Sequence, residues 1–238
     1  MITFSNIGGM GRLGNQLFQL AATIALATQH QDKYLFPHWE YESKFNLHGC
    51  FSNNIKSTAI YQEPFFHYQK IPYQPNLDLK GFFQSYKYFE DCQDIVLGLL
   101  TPKQTFPIQW GITSIHCRYG DYVNNSAYAQ LDLTYYNEAI KIVNSKKYLV
   151  FSDDIERCKS KFVGDKFIFV EEKDPVIALS LMSSCENNII CNSSFSYWGA
   201  YLNKFPGKQI IAPKQWFGPS LIKTHNTKDL LLPEWMAI

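Results

Sequence analysis

The chain has almost no net charge: 22 Lys and Arg stand against 21 Asp and Glu in 238 residues, a formal +1. That leaves no basic footprint for nucleic acid and no acidic tail, while a small charged or polar substrate stays open. Ordered cysteine spacing is missing too. The 6 Cys, at positions 50, 92, 117, 158, 185 and 191, include no Cys-x-x-Cys pair and no dense framework. In a chain this long they read as reduced thiols, mostly in the core. The amino terminus shows neither a basic stretch nor a long apolar segment, so no signal peptide is read there. The apolar run from Leu17 to Ala27 is interrupted by Gln19 and Thr23 and is too short to span a bilayer. There is no internal repeat and no low-complexity tract. These absences predict a soluble, cytoplasmic protein without a transmembrane segment.

What is present is apolar and aromatic material, 46% and 16% of the residues. That suffices for one large α/β domain or two small ones. The C-terminal half is the more legible. Strand-like "ITSIHC", "KYLVFSDD", "KFIFVEE", "NNIICNSS" and "KQIIAPKQW" alternate with helical "LTYYNEAIKIVNS", "IERCKSKF", "DPVIALSLMSSC" and "FSYWGAYLNKF". Alternation of this kind predicts a parallel, doubly wound sheet. The N-terminal half opens with a strand, a Gly-rich turn and a helix, then runs through a long aromatic stretch from Tyr34 to Phe89. The Pro-bearing segment "TPKQTFPIQWG" suggests a boundary, so we expect an N-terminal half over 1–105 and a C-terminal half over 106–238.

Ligands of doubly wound sheets bind beyond the carboxyl ends of the strands. His116 and Arg118, Asp153 and Asp154, Glu171 and Glu172, and Asn192 to Ser194 all stand at such ends, with Asp174 just after. Dispersed polar residues are thereby expected to converge on one sheet edge. Each has a plainer reading. His116 can be a core histidine and Arg118 a partner of Asp121. Asp153, Asp154 and Asp174 can cap helices, Asp174 with Pro175 at the first helical position. Ser193 or Ser194 can cap the next helix, or can join its N-terminus in holding an anion. Adjacent acids in "FSDD" diverge, which argues against joint metal coordination. In "GGMGRLGNQ" the glycines let backbone approach a ligand, and Arg12 adds charge. No Gly-Lys-Ser/Thr follows, so the turn is not a P-loop, and we do not read it as a dinucleotide fingerprint. Aromatic residues such as Trp39, Phe82, Phe83 and Tyr86 suit sugar faces, or simply core.

Taken in order, "GRLGNQLFQLA", "GFFQSYKYF", "HCRYGDYV", "VFSDDIE", "CNSSFSYWGAYL", "IIAPKQWF" and "LLPEW" resemble the blocks of glycosyltransferase family 11, the α-1,2-fucosyltransferases, over about Ile7 to Trp235. The resemblance implies a GT-B-type architecture, two Rossmann-like halves facing a cleft, with the donor chiefly on the C-terminal half. It implies GDP-fucose as donor, a galactose-containing glycan as acceptor, inversion at the anomeric carbon, and no required cofactor or metal. Arg118 matches the arginine that grips the donor's β-phosphate, and His116 the histidine near the nucleotide. Asp174 would face guanine. Ser193, Ser194 and Ser196 would hold the pyrophosphate together with Gly11, Arg12, Gly14 and Asn15, and Asp153 and Asn192 complete the donor side. Trp39, Phe83 and Gln84 are the acceptor-side candidates. Asp121 is the candidate base, with orientation of Arg118 as its alternative role. Tyr119 stands where the family block has a second arginine, and the chain is shorter than usual. Transfer from another GDP-hexose, another linkage, and a non-catalytic carbohydrate-binding relative are the competing readings.

Overall fold

The computed structural model describes all residues, Met1–Ile238. They form two compact α/β units, one of Met1–Lys103 with His225–Leu232 and one of Gln104–Thr224 with Pro233–Ile238. The expected halves were contiguous; the chain instead returns late to the first unit. Lys87 Nζ reaches Asp229 Oδ1 at 2.6 Å, and the Ser85 hydroxyl donates to the Asp229 carbonyl, 144 residues away. No local pattern announces contacts of that separation. None of the helices is long and apolar enough to cross a membrane.

In the first unit, β1 (Ile2–Thr3), β2 (Tyr34–Leu35), β3 (Ala59–Gln62) and β4 (Leu77–Lys80) form a parallel sheet ordered β2-β1-β4-β3. Helix α1 (Leu13–Gln29) follows the Gly-rich turn, and α2 (Gln93–Leu100) packs with it. The α1 sequence is rich in Leu and Ala, and its buried residues run almost without a break from Leu13 to Ala27. It is a core helix rather than an amphipathic surface one. The aromatic stretch supplies much of the remaining core, with Phe36, Phe45, Phe83 and Phe89 fully buried.

The second unit holds β5 (Gln109–Cys117), α3 (Leu133–Val143), β6 (Lys147–Ser152), α4 (Ile155–Lys161), β7 (Phe167–Phe169), α5 (Pro175–Ser184), β8 (Cys185–Ile189), α6 (Ser194–Tyr201), β9 (Ile210–Ala212) and β10 (Met236–Ala237). All pairings are parallel, in the order β10-β9-β8-β5-β6-β7. β5 starts earlier than the sequence suggested, inside the expected linker. β8 follows α5 without an intervening loop, and β10 is an added edge strand. Strand alternation splits the core. Ile115, Cys117 and Val150 pack with Tyr136 and Ile140 of α3 and Cys158 of α4, whereas Phe151 packs with Ala178 and Met182 of α5. From β5 the chain winds outward through β6 and β7, then crosses back to place β8 on the other flank of β5. The sheet therefore has its switch point between β5 and β8, where doubly wound sheets form ligand crevices.

Candidate active site

The switch point gathers the ends of β5 and β8, and β6 ends beside them. Arg118, one residue past β5, is largely buried at 14% side-chain exposure. Its Nε donates to Asp121 Oδ1 at 3.0 Å and lies 3.1 Å from Asp153 Oδ2; its Nη2 also donates to Asp121 Oδ1. Burial opposes the charge, but Asp153 and Asp121 outweigh it and hold the guanidinium pKa above its usual value. Asp153 is braced in turn, since its Oδ1 accepts the Tyr119 backbone N–H at 2.9 Å. Gly120 leaves the room this requires: a Cβ there would stand 2.4 Å from Asp153 Oδ2. A two-carboxylate cradle thus points the Arg118 fork.

The carboxylate of Asp121, the candidate base, is bonded to Arg118, which favours the orienting role. If the donor is the GDP-sugar that the sequence resemblance implies, Asp121→Asn should lower GDP affinity and turnover together, by about tenfold, as the charge-assisted bond to Arg118 weakens. GDP titration and steady-state kinetics on the same variant decide the point. A selective loss of ~10²–10⁴-fold in kcat with GDP affinity intact would assign Asp121 as the base instead.

His116 is 5% exposed, its ring lies against Phe195, and Tyr136 donates to its carbonyl. Burial first, and then the Arg118 charge, push its pKa down to about 3, so the ring is neutral. At the end of β8, the Asn192 side chain donates to the Ala129 and Trp216 carbonyls, and Tyr122 donates to the Asn192 carbonyl. Asn192 therefore braces the loops around the strand end. Ser193 caps α6, accepting from Phe195 N at 3.3 Å; Ser196 is buried and its hydroxyl reaches the Ser193 and Cys191 carbonyls. Ser194 opens the helix. Asp174 caps α5 through Val176 N at 2.9 Å. The helices behind Asp174 and Ser193 place their positive ends at the same sheet edge.

Beside Arg118 lies a cavity of about 200 Å³, walled by Arg118, Tyr119, Tyr122, Arg157, Lys161 and Asn192 among others. Tyr119, at the position of the second arginine in the family block, carries two cations on its ring here. Arg157 lies 4.4 Å and Lys161 Nζ 4.8 Å from its ring centroid, so α4 returns cationic charge to this wall through the aromatic face.

In the first unit, the Gly-rich turn is tied down from below. Gln16 Nε2 donates to Gly11 O and Gln19 Nε2 to Met10 O, while Trp39 Nε1 donates to Gln16 Oε1. Gly11 has φ +77°, and a Cβ there would meet the Asn15 side chain. Arg12 is exposed at the N-cap of α1 and provides no side-chain cap. Gln84 donates to Asn15 Oδ1 at 2.8 Å, joining the turn to the end of β4. Trp39 and Phe83 are 4% and 0% exposed, and Phe83 packs on Phe4, Tyr61 and Tyr88. Their rings therefore support the turn and the β4 end from inside. The Gly-rich turn differs from expectation in one respect. Gly9, Gly11 and Gly14 do carry the Gly-x-Gly-x-x-Gly spacing. The acid that grips a ribose in dinucleotide sites is absent, because Phe36-Pro37-His38 follows β2.

Sequence reasoning passed over Glu63. Its carboxylate accepts the Phe82 N–H at 2.6 Å and the Phe83 N–H at 3.0 Å, pinning the turn after β4 in which Phe83 takes φ +51°. No motif could flag it, since these partners stand 19 and 20 residues away. Burial raises its pKa, against the lowering effect of the Phe83 and Phe82 amides, to about 7. Folding thus favours the protonated acid. That stabilisation is complete below the ordinary 4.5 and is lost as pH rises through about 7. Glu63→Gln should match the parent Tm at pH 5 and exceed it at pH 8; equal pH slopes for both proteins would contradict this.

Residues 3–238 match the glycosyl transferase family 11 model. An O-antigen biosynthesis glycosyltransferase, WbnK, of Escherichia coli is 27% identical over 88% of this chain and 76% of its own length. An α-1,2-colitosyltransferase of the same species is 28% identical over 96% of both chains. The apo-form crystal structure of POFUT1 superposes with a TM-score of 0.50 at 12% identity, covering 89% of this chain and 97% of that one, a likeness of fold. With two α/β units, each built on a parallel sheet, and polar strand ends gathered at a switch point, the architecture is GT-B-type, and the chain belongs to glycosyl transferase family 11.

Proposed function

We propose that the protein is an inverting, metal-independent galactoside α-1,2-fucosyltransferase using GDP-fucose. The observation that carries this reading is the Arg118 fork, held by Asp121 and Asp153 at the β5–β8 switch point between helix N-termini. As the glycosidic bond of the donor breaks, negative charge collects on the β-phosphate oxygen of GDP. A preoriented guanidinium, the Ser193 and Ser194 hydroxyls and the α6 N-terminus stabilise that charge without reorganising. Neutral His116 adds a hydrogen-bonding edge without adding charge, and Asp174 takes the guanine. The α-1,2 linkage and the galactoside acceptor follow the sequence resemblance.

A second reading changes only the sugar, because a relative at 28% identity is named a colitosyltransferase. Product analysis with GDP-fucose, GDP-colitose and GDP-mannose against a galactoside panel tests both. We expect transfer from GDP-fucose with release of GDP, and an α-1,2-fucosylated product. Exclusive use of GDP-colitose would favour the second reading; no turnover and no GDP binding would leave a carbohydrate-binding relative. No group of three or more His, Cys, Asp or Glu side chains is placed to hold a metal ion. On the proposed reading Arg118, the Ser193 and Ser194 hydroxyls and the α6 N-terminus meet the pyrophosphate charge, so turnover is expected to persist in excess EDTA, and a loss restored by Mg²⁺ or Mn²⁺ would overturn the metal-independent mechanism.

A further inference from the structure

The buried thiol of Cys191 lies just past β8, in line with the site but outside every role described above. Its Sγ is 3.1 Å from His116 Nδ1 and 3.7 Å from Ser196 Oγ. We propose that Cys191 is a positioning residue: its S–H donates to Nδ1 and so fixes His116 in the tautomer that carries its proton on Nε2. On the GDP-sugar reading above, that Nε2–H is the donor His116 offers to an oxygen of the bound nucleotide.

The assignment follows from where each proton can go. An ion pair of thiolate and imidazolium is excluded, because burial pushes the Cys191 thiol up to about 12 and the His116 ring down to about 3. Both groups are neutral, so exactly one of two arrangements holds. In one, Nδ1–H points at sulfur, a weak acceptor; in the other, S–H points at an imidazole nitrogen, a far better one. The Ser196 hydroxyl does not compete for Nδ1. It has the Ser193 and Cys191 carbonyls at 3.3 and 3.4 Å, and the sulfur is nearer to nitrogen than to this hydroxyl. With Nδ1 accepting, the one ring proton belongs to Nε2.

Nε2 makes no hydrogen bond within the protein and is not among the side-chain atoms sealed from solvent, although the residue is 5% exposed. It is thus the single edge of a buried ring left for a ligand. Arg118 stands two residues after His116, one past the end of β5, close enough for its charge to act on the His116 ring. In this tautomer both residues present only donors, which matches an oxygen-rich anion such as a nucleoside diphosphate. The opposite tautomer would turn a nitrogen lone pair towards the phosphate oxygens and repel them.

The test uses the whole protein labelled with ¹⁵N at histidine. Without nucleotide, long-range ¹H–¹⁵N correlation should show His116 with a pyrrole-type Nε2 and a pyridine-type Nδ1. Cys191→Ala should lose this single pattern and weaken GDP binding by about five- to tenfold, the loss of one aligned hydrogen bond. Cys191→Ser, whose hydroxyl can donate in the same way, should restore both readouts. A pyrrole-type Nδ1 in the parent protein would overturn the proposal. So would an Ala variant in which both the tautomer and GDP affinity are unchanged. The tautomer measurement needs no nucleotide, so if GDP fails to bind the parent at all, the functional reading falls while the Cys191–His116 assignment is judged on the spectra.

Discussion

Arg118→Ala is expected to lower transfer by about 100-fold or more, roughly 3 kcal/mol of transition-state stabilisation, the scale seen when a preorganised donor to a developing oxyanion is removed. Two effects add. The fork that would meet the phosphate is lost, and Asp121 and Asp153, which converge on it, are left without their counter-charge. With the donor phosphate seated as proposed, two uncompensated carboxylates beside it would repel it, so GDP affinity should fall as well. Arg118→Lys returns the charge but not the planar fork, and a single ammonium cannot serve the Asp153 contact and a two-pronged phosphate contact together. It should therefore recover GDP affinity in part and turnover little. Calorimetric GDP titration and donor kinetics on both variants measure this. Near-normal turnover by Arg118→Ala would remove the donor from the end of β5 and with it the whole site.

The second large effect is expected at Asp174. A carboxylate can accept from guanine N1–H and the exocyclic amine at once; an amide offers one oxygen and opposes the second contact with its own donor. Bonds to a charged partner contribute about 1.5–3 kcal/mol, so Asp174→Asn should weaken GDP by roughly ten- to a hundredfold. The substitution isolates recognition from folding. Asp174 also caps α5 through Val176 N, and Asn caps helices as well as Asp does, so Tm should hardly change. The preference for GDP over ADP, measured by competition, should collapse with it. A parent protein that binds ADP and GDP equally would leave Asp174 as a helix cap alone.

Much of this was available in the order of residues. Alternating strands and helices in the C-terminal half, the Asp174-Pro175 helix start, and polar residues at strand ends all depend on neighbours within a few positions, where hydrophobic period and backbone capping act. Those features predicted a parallel sheet with its chemistry on one edge, and the order of seven short blocks pointed to the family. Tertiary structure decided the rest. The crossover that lays β8 against β5 brings Cys191 to His116, 75 residues away, and β6 beside β5 brings Asp153 to the Tyr119 amide, 34 residues away. It also turned Tyr119 into a seat for Arg157 and Lys161, and set Glu63 under the turn after β4. Strand order and long-range hydrogen bonds are chosen by the free energy of the whole packed sheet. Many orders share the same local periodicity, so only the folded chain shows which carboxylate faces which cation.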